Sequence, residues 1–286
     1  MIRKKVSRPS DGTFTGPELL PANSEEQRNW QQANKSFWED NSMRYDWDEA
    51  IGHAEFSAGF YHEIDKRFFS AVKAVMPWKE RPFEQYLDFV RLKDMDVLEI
   101  GVGNGSHAQL IAPRAKSYTG IDLTEYAVRS TSGRMRLNAI PPPILQMDAE
   151  QMQSPDATFD YVWSWGVIHH SSNTSQILDE IRRVLRPGGT ALIMVYYRGW
   201  FSYYLSGFLH GLFGGYFLRG KTLHQAVQAR PWQGIIRSGR GAGWQGGVLT
   251  SSTWRCLAIK PISSLFPAGR SRRLYSNGSP DDWQDG

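Results

Sequence analysis

The chain has 286 residues, and a hydrophobic fraction of 41% with 13% aromatic residues is enough for one large domain with a buried core. Cys256 is the single cysteine, which excludes an intramolecular disulfide and a zinc site built from clustered cysteines. This cysteine usage is typical of a reducing, cytoplasmic location. The basic N-terminus is followed by no apolar stretch, so we expect no secretory signal there.

Charge is divided unevenly along the chain, although the net charge is only +4. Residues 181–286 contain 14 Lys and Arg against three acidic residues, a balance of +11. The remainder contains 19 basic and 26 acidic residues, a balance of −7. This asymmetry favours contact between the C-terminal part and an anionic surface, either membrane or nucleic acid. A basic, poorly ordered tail is the alternative.

The N-terminal third predicts a flexible arm followed by helices. Residues 1–22 contain five Pro and Gly residues and few large apolar ones, which is typical of a flexible arm. Ser24 and Gln27 have the spacing of a capping box, which predicts the start of a helix. Aromatic residues recur at helical spacing between Tyr45 and Trp78, and a further segment, 83–92, leads into the first strand. We therefore expect a helical cap over residues 23–94.

From Met95 the pattern alternates between strand and helix. The predicted strands are Asp96–Ile100, Ser117–Ile121, Ile144–Met147, Phe159–Ser164 and Thr190–Tyr196. Helices are predicted at Thr124–Asn138 and Thr174–Leu185. Strands separated by helices predict a parallel sheet with right-handed crossovers. The expected fold class is α/β: a Rossmann-like, mostly parallel sheet over residues 95–197 with helices on both faces.

The C-terminal region, residues 198–286, is atypical for such a fold. Gly199–Leu218 is a 20-residue run without acidic or basic side chains, flanked by Arg198 and Arg219. It predicts a lid helix, a helix at a membrane interface, or a membrane span, although its five glycines and His210 disfavour a span. Beyond it lies a basic tail rich in Gly and Arg, in which Val248–Ile259 could form a short strand pair.

The first strand ends in a glycine turn. Gly101, Gly103 and Gly105 follow Glu99 in the pattern GxGxG, which differs from the GxGxxG of dinucleotide sites. Glycines at these positions let the backbone bend sharply and approach a ligand. Glu99 is suited to a ligand ammonium group, whereas a pyrophosphate would be repelled. The turn therefore favours a nucleotide that carries an amino acid.

Two further acids end the next two strands. Asp122 ends the second strand, where a carboxylate can accept hydrogen bonds from both ribose hydroxyls. An ordinary helix cap is the alternative role for this residue. Asp148 ends the third strand and could accept from the exocyclic amine of adenine, with the amide of Ala149 beside it. The fourth strand runs into Trp165, Gly166 and the His169–His170 pair at the edge where such sheets bind ligands.

Together these segments resemble the class I S-adenosylmethionine-dependent methyltransferases, in the small-molecule branch labelled type 11. The resemblance covers about residues 97–197 and rests on VLEIGVGNGS, YTGIDLTEYAV, DAEQM, TFDYVWSWGVIHH and ILDEIRRVLRPGGTALI. It implies that Glu99 and Gly101 hold methionine, Asp122 the ribose, Asp148 and Ala149 the adenine, and Trp165-Gly166 the sulfonium side. The expected cofactor site of S-adenosyl-L-methionine also includes Val102, Gly103, Gly105 and Leu123.

The methyl acceptor is not encoded in these motifs. An aromatic-rich cap favours a small hydrophobic acceptor such as a quinone-like ring or a lipid, and a glycan is a further candidate. His169 and His170 are the candidate bases if the acceptor must lose a proton. Because they are adjacent, at most one is expected to face the acceptor. No metal-ligand spacing is present in the sequence.

Two other functional classes remain open. A nicotinamide-dependent oxidoreductase would also need a glycine turn and Asp122, but Glu99 and the DAE segment disfavour it. A non-catalytic cofactor-binding scaffold at a membrane surface would account for the unusual C-terminal region. Nucleic acid is disfavoured as a partner because the basic residues are scattered and form no recognisable module. A peripheral membrane contact through residues 199–218 and the basic tail is a further expectation.

Overall fold

A computed structural model describes residues 21, 23–46, 49–140, 143–196, 204–223, 226 and 254–259. The described part is an α/β fold built on one six-stranded sheet. The predicted arm at residues 1–22 lies outside the described residues except for Pro21, as does most of the basic tail.

The sheet has the strand order β3-β2-β1-β4-β5-β6. Its strands are β1 (Asp96–Ile100), β2 (Ser117–Asp122), β3 (Ile144–Gln146), β4 (Phe159–Trp165), β5 (Leu185–Tyr196) and β6 (Trp254–Ile259). Strands β1 to β5 are parallel, and β6 pairs with β5 in antiparallel orientation. The order reverses direction between β1 and β4, which is the point where open α/β sheets bind ligands.

Six α-helices accompany the sheet in the described residues. They are α1 (Ser24–Asp40), α2 (Ala58–Val75), α3 (Ala108–Ile111), α4 (Glu125–Leu137), α5 (Thr174–Val184) and α6 (Ser206–Phe213). Phe68 and Val72 of α2 belong to the core on one face of the sheet. Ile177 and Ile181 of α5 belong to the core on the opposite face. The prediction of a mostly parallel sheet with helices on both faces is therefore confirmed.

The N-cap of the first helix lies one residue earlier than predicted. Asn23 is the N-cap, and its side chain accepts a hydrogen bond from the amide of Glu26. Ser24 is already the first helical residue, and the Gln27 side chain donates instead to Glu150 and Gln176. The predicted capping box of Ser24 and Gln27 is therefore wrong, because Asn23 takes the N-cap position and its side chain satisfies the free amide of Glu26.

The structure describes two parts of the C-terminal region. Within residues 199–218 the structure describes α6, only eight residues long, and a short 3₁₀ helix at Phe217–Arg219. Among the described residues, no helix is both long and apolar enough to cross a membrane. Of the predicted strand pair at Val248–Ile259, Trp254–Ile259 forms β6, whereas residues 248–253 lie outside the described residues.

Candidate functional site

A cavity of about 270 Å³ lies at the carboxyl ends of the parallel strands. Its floor consists of residues that directly follow or end the strands: Gly101, Val102 and Gly103 after β1, Asp122 and Leu123 at β2, Asp148 and Ala149 after β3, and Trp165 and Gly166 at β4. Helices α1 and α2 contribute the opposite wall. The parallel arrangement explains this gathering, because the strand ends meet at one edge of the sheet.

The glycine turn has one closed side and one open side. Gly101 has a φ of 82°, and a Cβ there would collide with the Val167 side chain. Gly103 has a φ of 53°, and a Cβ there would meet no atom within 4 Å. Because Gly103 also lines the cavity, its backbone borders open space that a side chain would fill. This is the cradle expected for a ligand that approaches the main chain closely.

Asp122 is held by the two loops that meet at the end of β2. Its carboxylate accepts hydrogen bonds from the amide of Gly103 at 3.2 Å and from the amide and hydroxyl of Thr124 at 3.0 and 2.8 Å. Burial raises the pKa of this carboxyl, and the three hydrogen bonds oppose that shift. The side chain therefore has a fixed orientation at the cavity wall before any ligand binds.

Asp148 connects the cavity floor to α1. Its Oδ1 accepts from the Gln31 side chain at 2.9 Å and from the amide of Glu150 at 2.8 Å. Burial raises the pKa of Asp148, and these two hydrogen bonds oppose the shift. Glu150 in turn accepts from the Ser171 and Ser172 hydroxyls, which fixes the loop after β4 against the loop after β3.

One face of α1 covers the edge of the sheet. Gln27, Gln31, Asn34 and Trp38 follow one another at spacings of four, three and four residues, so they lie on the same side of the helix. Gln27 donates to Glu150 at 2.7 Å, and the Trp38 ring packs edge-on against His170 at 4.8 Å between ring centroids. Gln31, Asn34 and Trp38 all line the cavity.

The second half of the cavity is apolar. Helix α2 and its C-cap residue Met76 contribute five side chains to this wall, and β4 and β5 contribute two more: Ile64, Phe68, Ala71, Val72, Met76, Trp165 and Met194. His107 is a polar group in these surroundings. Its imidazole lies 5.2 Å from the ring of Phe68 and 5.8 Å from that of Trp165, centroid to centroid.

Glu99 does not line the cavity. The side chain is completely buried on the face of β1 that carries Val97, and its Oε2 accepts a hydrogen bond from the Tyr118 hydroxyl at 2.6 Å. Burial raises the pKa of Glu99 to about 8. Its Oε1 lies 3.8 Å from Nδ1 of His107 and has no hydrogen-bond partner among the described residues. Burial lowers the pKa of His107 to about 3, so both groups are neutral near pH 7.

The two adjacent histidines take different positions, as their adjacency predicts. Both lie in a short 3₁₀ helix, Ile168–His170, directly after β4. His170 lines the cavity, whereas His169 does not. Burial lowers the pKa of His170 to about 4, and burial together with the neighbouring His170 lowers the pKa of His169 well below its usual range. His170 is therefore the member of the pair that can meet a ligand, in its neutral form.

Most of the site residues predicted from the sequence gather around this cavity. Three do not: Glu99 points under the sheet, Gly105 packs near Arg134 and Thr131, and His169 lies behind His170. Sequence reasoning missed the contributions of Gln31, Asn34 and His107. A signal for His107 was present, since it follows the glycine turn directly. The polar positions on the Trp38 face of α1 were a second signal.

Comparison with known proteins gives a consistent result. Residues 98–193 match the sequence model of a family described as a methyltransferase domain. A tRNA U34 carboxymethyltransferase of Actinobacillus pleuropneumoniae is 31% identical over 171 residues, which cover 51% of this chain and 50% of that protein. A probable S-adenosylmethionine-dependent methyltransferase of Mycolicibacterium smegmatis is 36% identical over 104 residues, covering 36% of this chain and 38% of the relative.

The chain thus spans about half the length, or less, of these curated relatives. Among solved structures, the YcgJ protein of Bacillus subtilis shares 29% identity with a TM-score of 0.35, over 36% of this chain and 44% of that one.

The fold, the glycine turn and the family match define residues 98–193 as a class I methyltransferase domain. More narrowly, the match is to the type 11 branch of methyltransferase domains, and the name of the Mycolicibacterium smegmatis relative specifies S-adenosylmethionine as its cofactor. The open space beside Gly103, the oriented carboxylate of Asp122 and the acceptor atoms at Asp148 fit this cofactor.

Proposed function

We propose that the protein transfers a methyl group from S-adenosyl-L-methionine to a small hydrophobic acceptor. The observation that carries the proposal is the apolar half of the cavity, which α2 and its C-cap residue line with five side chains next to Trp165. A hydrophobic ring or chain would bury its surface there at a gain of about 25 cal/mol per Å². A sugar would leave its hydroxyls facing Phe68, Val72 and Met194 without partners, which disfavours a glycan.

In this proposal the strand ends hold the cofactor. Asp122 would accept from the ribose hydroxyls, with Leu123 beside it, and Asp148 with Ala149 would bind the adenine edge. The backbone of Gly101, Val102 and Gly103 would border the methionine side. Trp165-Gly166 would lie toward the sulfonium. Bound S-adenosyl-L-methionine supplies an electrophilic methyl group on a positively charged sulfur.

The proposed role of the remaining cavity residues is to align the acceptor and exclude water. Alignment alone can supply much of the rate of a displacement reaction. An amine acceptor needs no base, whereas a hydroxyl must lose its proton. His170 and His107 are the neutral imidazoles that line the cavity, so either could accept that proton. Glu99 would then lie beside His107 on the side away from the cavity and would not contact the cofactor.

A tRNA acceptor is the second candidate. It is favoured by the names of the relatives, since the matched protein of Actinobacillus pleuropneumoniae is a tRNA U34 carboxymethyltransferase. The balance of +11 over residues 181–286 would suit a polyanion. These observations weaken the expectation that nucleic acid is an unsuitable partner. The relatives' name also specifies a carboxymethyl group, so the transferred group must be measured as well as the acceptor.

One assay separates these possibilities. The purified protein is incubated with radiolabelled S-adenosyl-L-methionine and, in parallel, with organic-solvent extract, polar extract and total tRNA from the source organism. We expect label in the organic fraction and a methyl group in the product by mass spectrometry. Label in tRNA would establish the second candidate. Cofactor binding with no transfer to any fraction would favour the non-catalytic scaffold.

A peripheral membrane contact is a separate proposal for the region around α6. Several large apolar side chains there are exposed: Tyr204, Leu205, Phe208, Leu209, Leu212, Phe213 and Leu218. Arg219 and Lys221 follow them, which suits an anionic lipid surface. Vesicles containing phosphatidylserine should sediment the wild type, and Phe208→Ser/Phe213→Ser should reduce the sedimented fraction severalfold. Equal sedimentation of both proteins would contradict the contact.

A further inference from the structure

Asn34 is the buried polar residue of α1 that lines the cavity. Its side chain is 5% exposed, and it is the only buried residue of that helix. The Nδ2 group donates to Oε1 of Gln31 at 3.3 Å. The Oδ1 atom has no hydrogen-bond partner among the described residues. An unpaired buried carbonyl oxygen costs stability, so its presence at a cavity wall calls for a ligand that donates to it.

The neighbours of Asn34 indicate which part of a ligand lies there. Gln31, one turn earlier on the same helix face, donates to Oδ1 of Asp148 while its own Oε1 accepts from the amide of Ser172. Asn34, Gln31 and Asp148 therefore form one connected polar group at the end of the cavity below β3. Trp38, four residues after Asn34 on the same helix, contacts the ring of His170 and not this polar group.

We propose that Asn34 is an adenine-recognition residue, whose Oδ1 accepts a hydrogen bond from the exocyclic amine of the cofactor. This proposal rests on the proposed function, in which Asp148 binds the same edge of the base. An exocyclic amine carries two hydrogens and can satisfy two acceptors, whereas a keto group at that position donates to neither. Asn34 lies outside the matched residues 98–193, so the cap helix completes the specificity of the domain.

The chemistry also specifies what Asn34 discriminates against. One hydrogen of its amide nitrogen is engaged with Gln31, and the buried side-chain atom that lacks a partner among the described residues is the acceptor Oδ1. An inosine base would place its own carbonyl oxygen against Oδ1, and two acceptors facing each other repel. Asn34 therefore selects an amino purine over an oxo purine, independently of which molecule receives the methyl group.

The test uses binding and no methyl transfer. Isothermal titration calorimetry compares S-adenosylhomocysteine with S-inosylhomocysteine for the wild type, for Asn34→Leu and for Gln32→Leu. Gln32 is exposed on the same helix and does not line the cavity, so its variant is the matched control. We expect Asn34→Leu to bind S-adenosylhomocysteine about tenfold more weakly and to lose about tenfold of the preference over S-inosylhomocysteine. The control variant Gln32→Leu should keep both the affinity and the purine preference of the wild type.

Two further measurements separate recognition from folding and from other ligand groups. Removing an unpaired buried oxygen should leave the melting temperature of the ligand-free Asn34→Leu protein equal to or above that of the wild type. Binding of 5′-methylthioadenosine, which lacks the amino acid, should weaken by the same factor. An unchanged purine preference in Asn34→Leu would overturn the proposal, as would a loss confined to ligands that carry the ammonium group. If the wild type binds neither nucleoside ligand, the proposed function itself fails.

Discussion

Replacing Glu99 with glutamine is expected to stabilise the protein at alkaline pH and to leave cofactor affinity unchanged. The wild-type carboxyl is completely buried, and burial raises its pKa from 4.5 to about 8. The folded protein therefore keeps this proton up to about pH 8, whereas the unfolded chain releases it near 4.5. The stability that Glu99 contributes is present in full below the unfolded pKa and is lost as the pH rises toward the folded one.

The size of this effect follows from the difference between the pKa of Glu99 in the folded protein and its pKa in the unfolded chain. One pKa unit corresponds to about 1.4 kcal/mol, so the loss between about pH 5 and about pH 8 amounts to roughly 3 kcal/mol. A glutamine at this position keeps an oxygen for the Tyr118 hydroxyl and never ionises. The variant and the wild type should have nearly equal unfolding free energies at about pH 5, and the variant should be more stable by roughly 3 kcal/mol at about pH 8.

Urea unfolding followed by circular dichroism at several pH values measures this difference. Tyr118→Phe serves as the control, because it removes the hydrogen bond that favours the ionised carboxylate, so the loss of stability should continue to higher pH than in the wild type. If the unfolding free energies of the wild type and Glu99→Gln changed in parallel with pH, the conclusion that the buried carboxyl of Glu99 is neutral would be refuted. A tenfold loss of S-adenosylhomocysteine affinity in Glu99→Gln would show that Glu99 holds the methionine ammonium group, contrary to its position behind the cavity.

Three further predictions concern the cavity wall. Asp122→Ala should reduce S-adenosyl-L-methionine affinity by more than tenfold in calorimetry, since the variant lacks the oriented carboxylate; unchanged affinity would remove Asp122 from the site. If the acceptor must lose a proton to a base, His170→Ala should lower kcat by at least tenfold and His169→Ala much less. The activity of the wild type should then fall only below about pH 5, because the pKa of His170 is about 4. Equal effects of both variants would contradict the assignment of His170 as the base. Gly103→Ala should weaken cofactor binding, because its new methyl group would enter the cavity. Gly188 also has a positive φ, 84°, but lies away from the cavity, so Gly188→Ala should cost stability without affecting binding. Equal losses of binding in the two variants would indicate backbone strain as the cause.

The sheet could be predicted from the sequence because its strands are short apolar runs bounded by turn residues. The observed β1 coincides with the predicted Asp96–Ile100, and β2, β3 and β4 differ from their predictions by a single residue at one end. The fifth strand begins five residues earlier than predicted. Leu185 pairs with Phe159 before the Arg186–Gly189 segment, and the register shifts before Thr190. A pairing across a bulge depends on the partner strand and has no local sequence signal.

The cavity floor was predictable for the same reason, since the strand ends must meet at one edge. The roles of Glu99 and α1 were not predictable in this way. Alternation along β1 places Glu99 beneath the sheet, but its hydrogen bond to Tyr118 depends on the neighbouring strand. The hydrogen bonds that tie α1 to the rest of the domain join residues 86 to 149 positions apart, such as Glu39 with Glu125 and Gln27 with Gln176. Local patterns do not encode separations of that size.

The two long helices of the cap are attached to the domain in different ways. Helix α2 buries Phe60, Ile64 and Phe68 in apolar clusters. Its Asp65 accepts from Ser106 and Gln109 and forms an ion pair with the buried Arg134 of α4. Helix α2 is therefore part of the core, and the apolar wall that it provides for the cavity is formed before any ligand binds.

Helix α1 is held mainly by polar contacts at the edge of the cavity. Gln27 and Gln31 donate to Glu150 and Asp148, and Glu39 accepts from the first two amides of α4 at 2.8 and 3.0 Å. Few apolar contacts oppose the lifting of such a helix, so it should open locally at a lower free energy than α2.

Hydrogen exchange monitored by mass spectrometry tests this difference. Without ligand, the amides of α1 should exchange faster than those of α2, and S-adenosylhomocysteine should slow exchange in α1 far more than in α2. The reason is that the ligand adds contacts to the wall that α1 provides, whereas α2 is already fixed by Arg134 and the core. Equal protection of both helices without ligand would mean that α1 is as integral a part of the fold as α2.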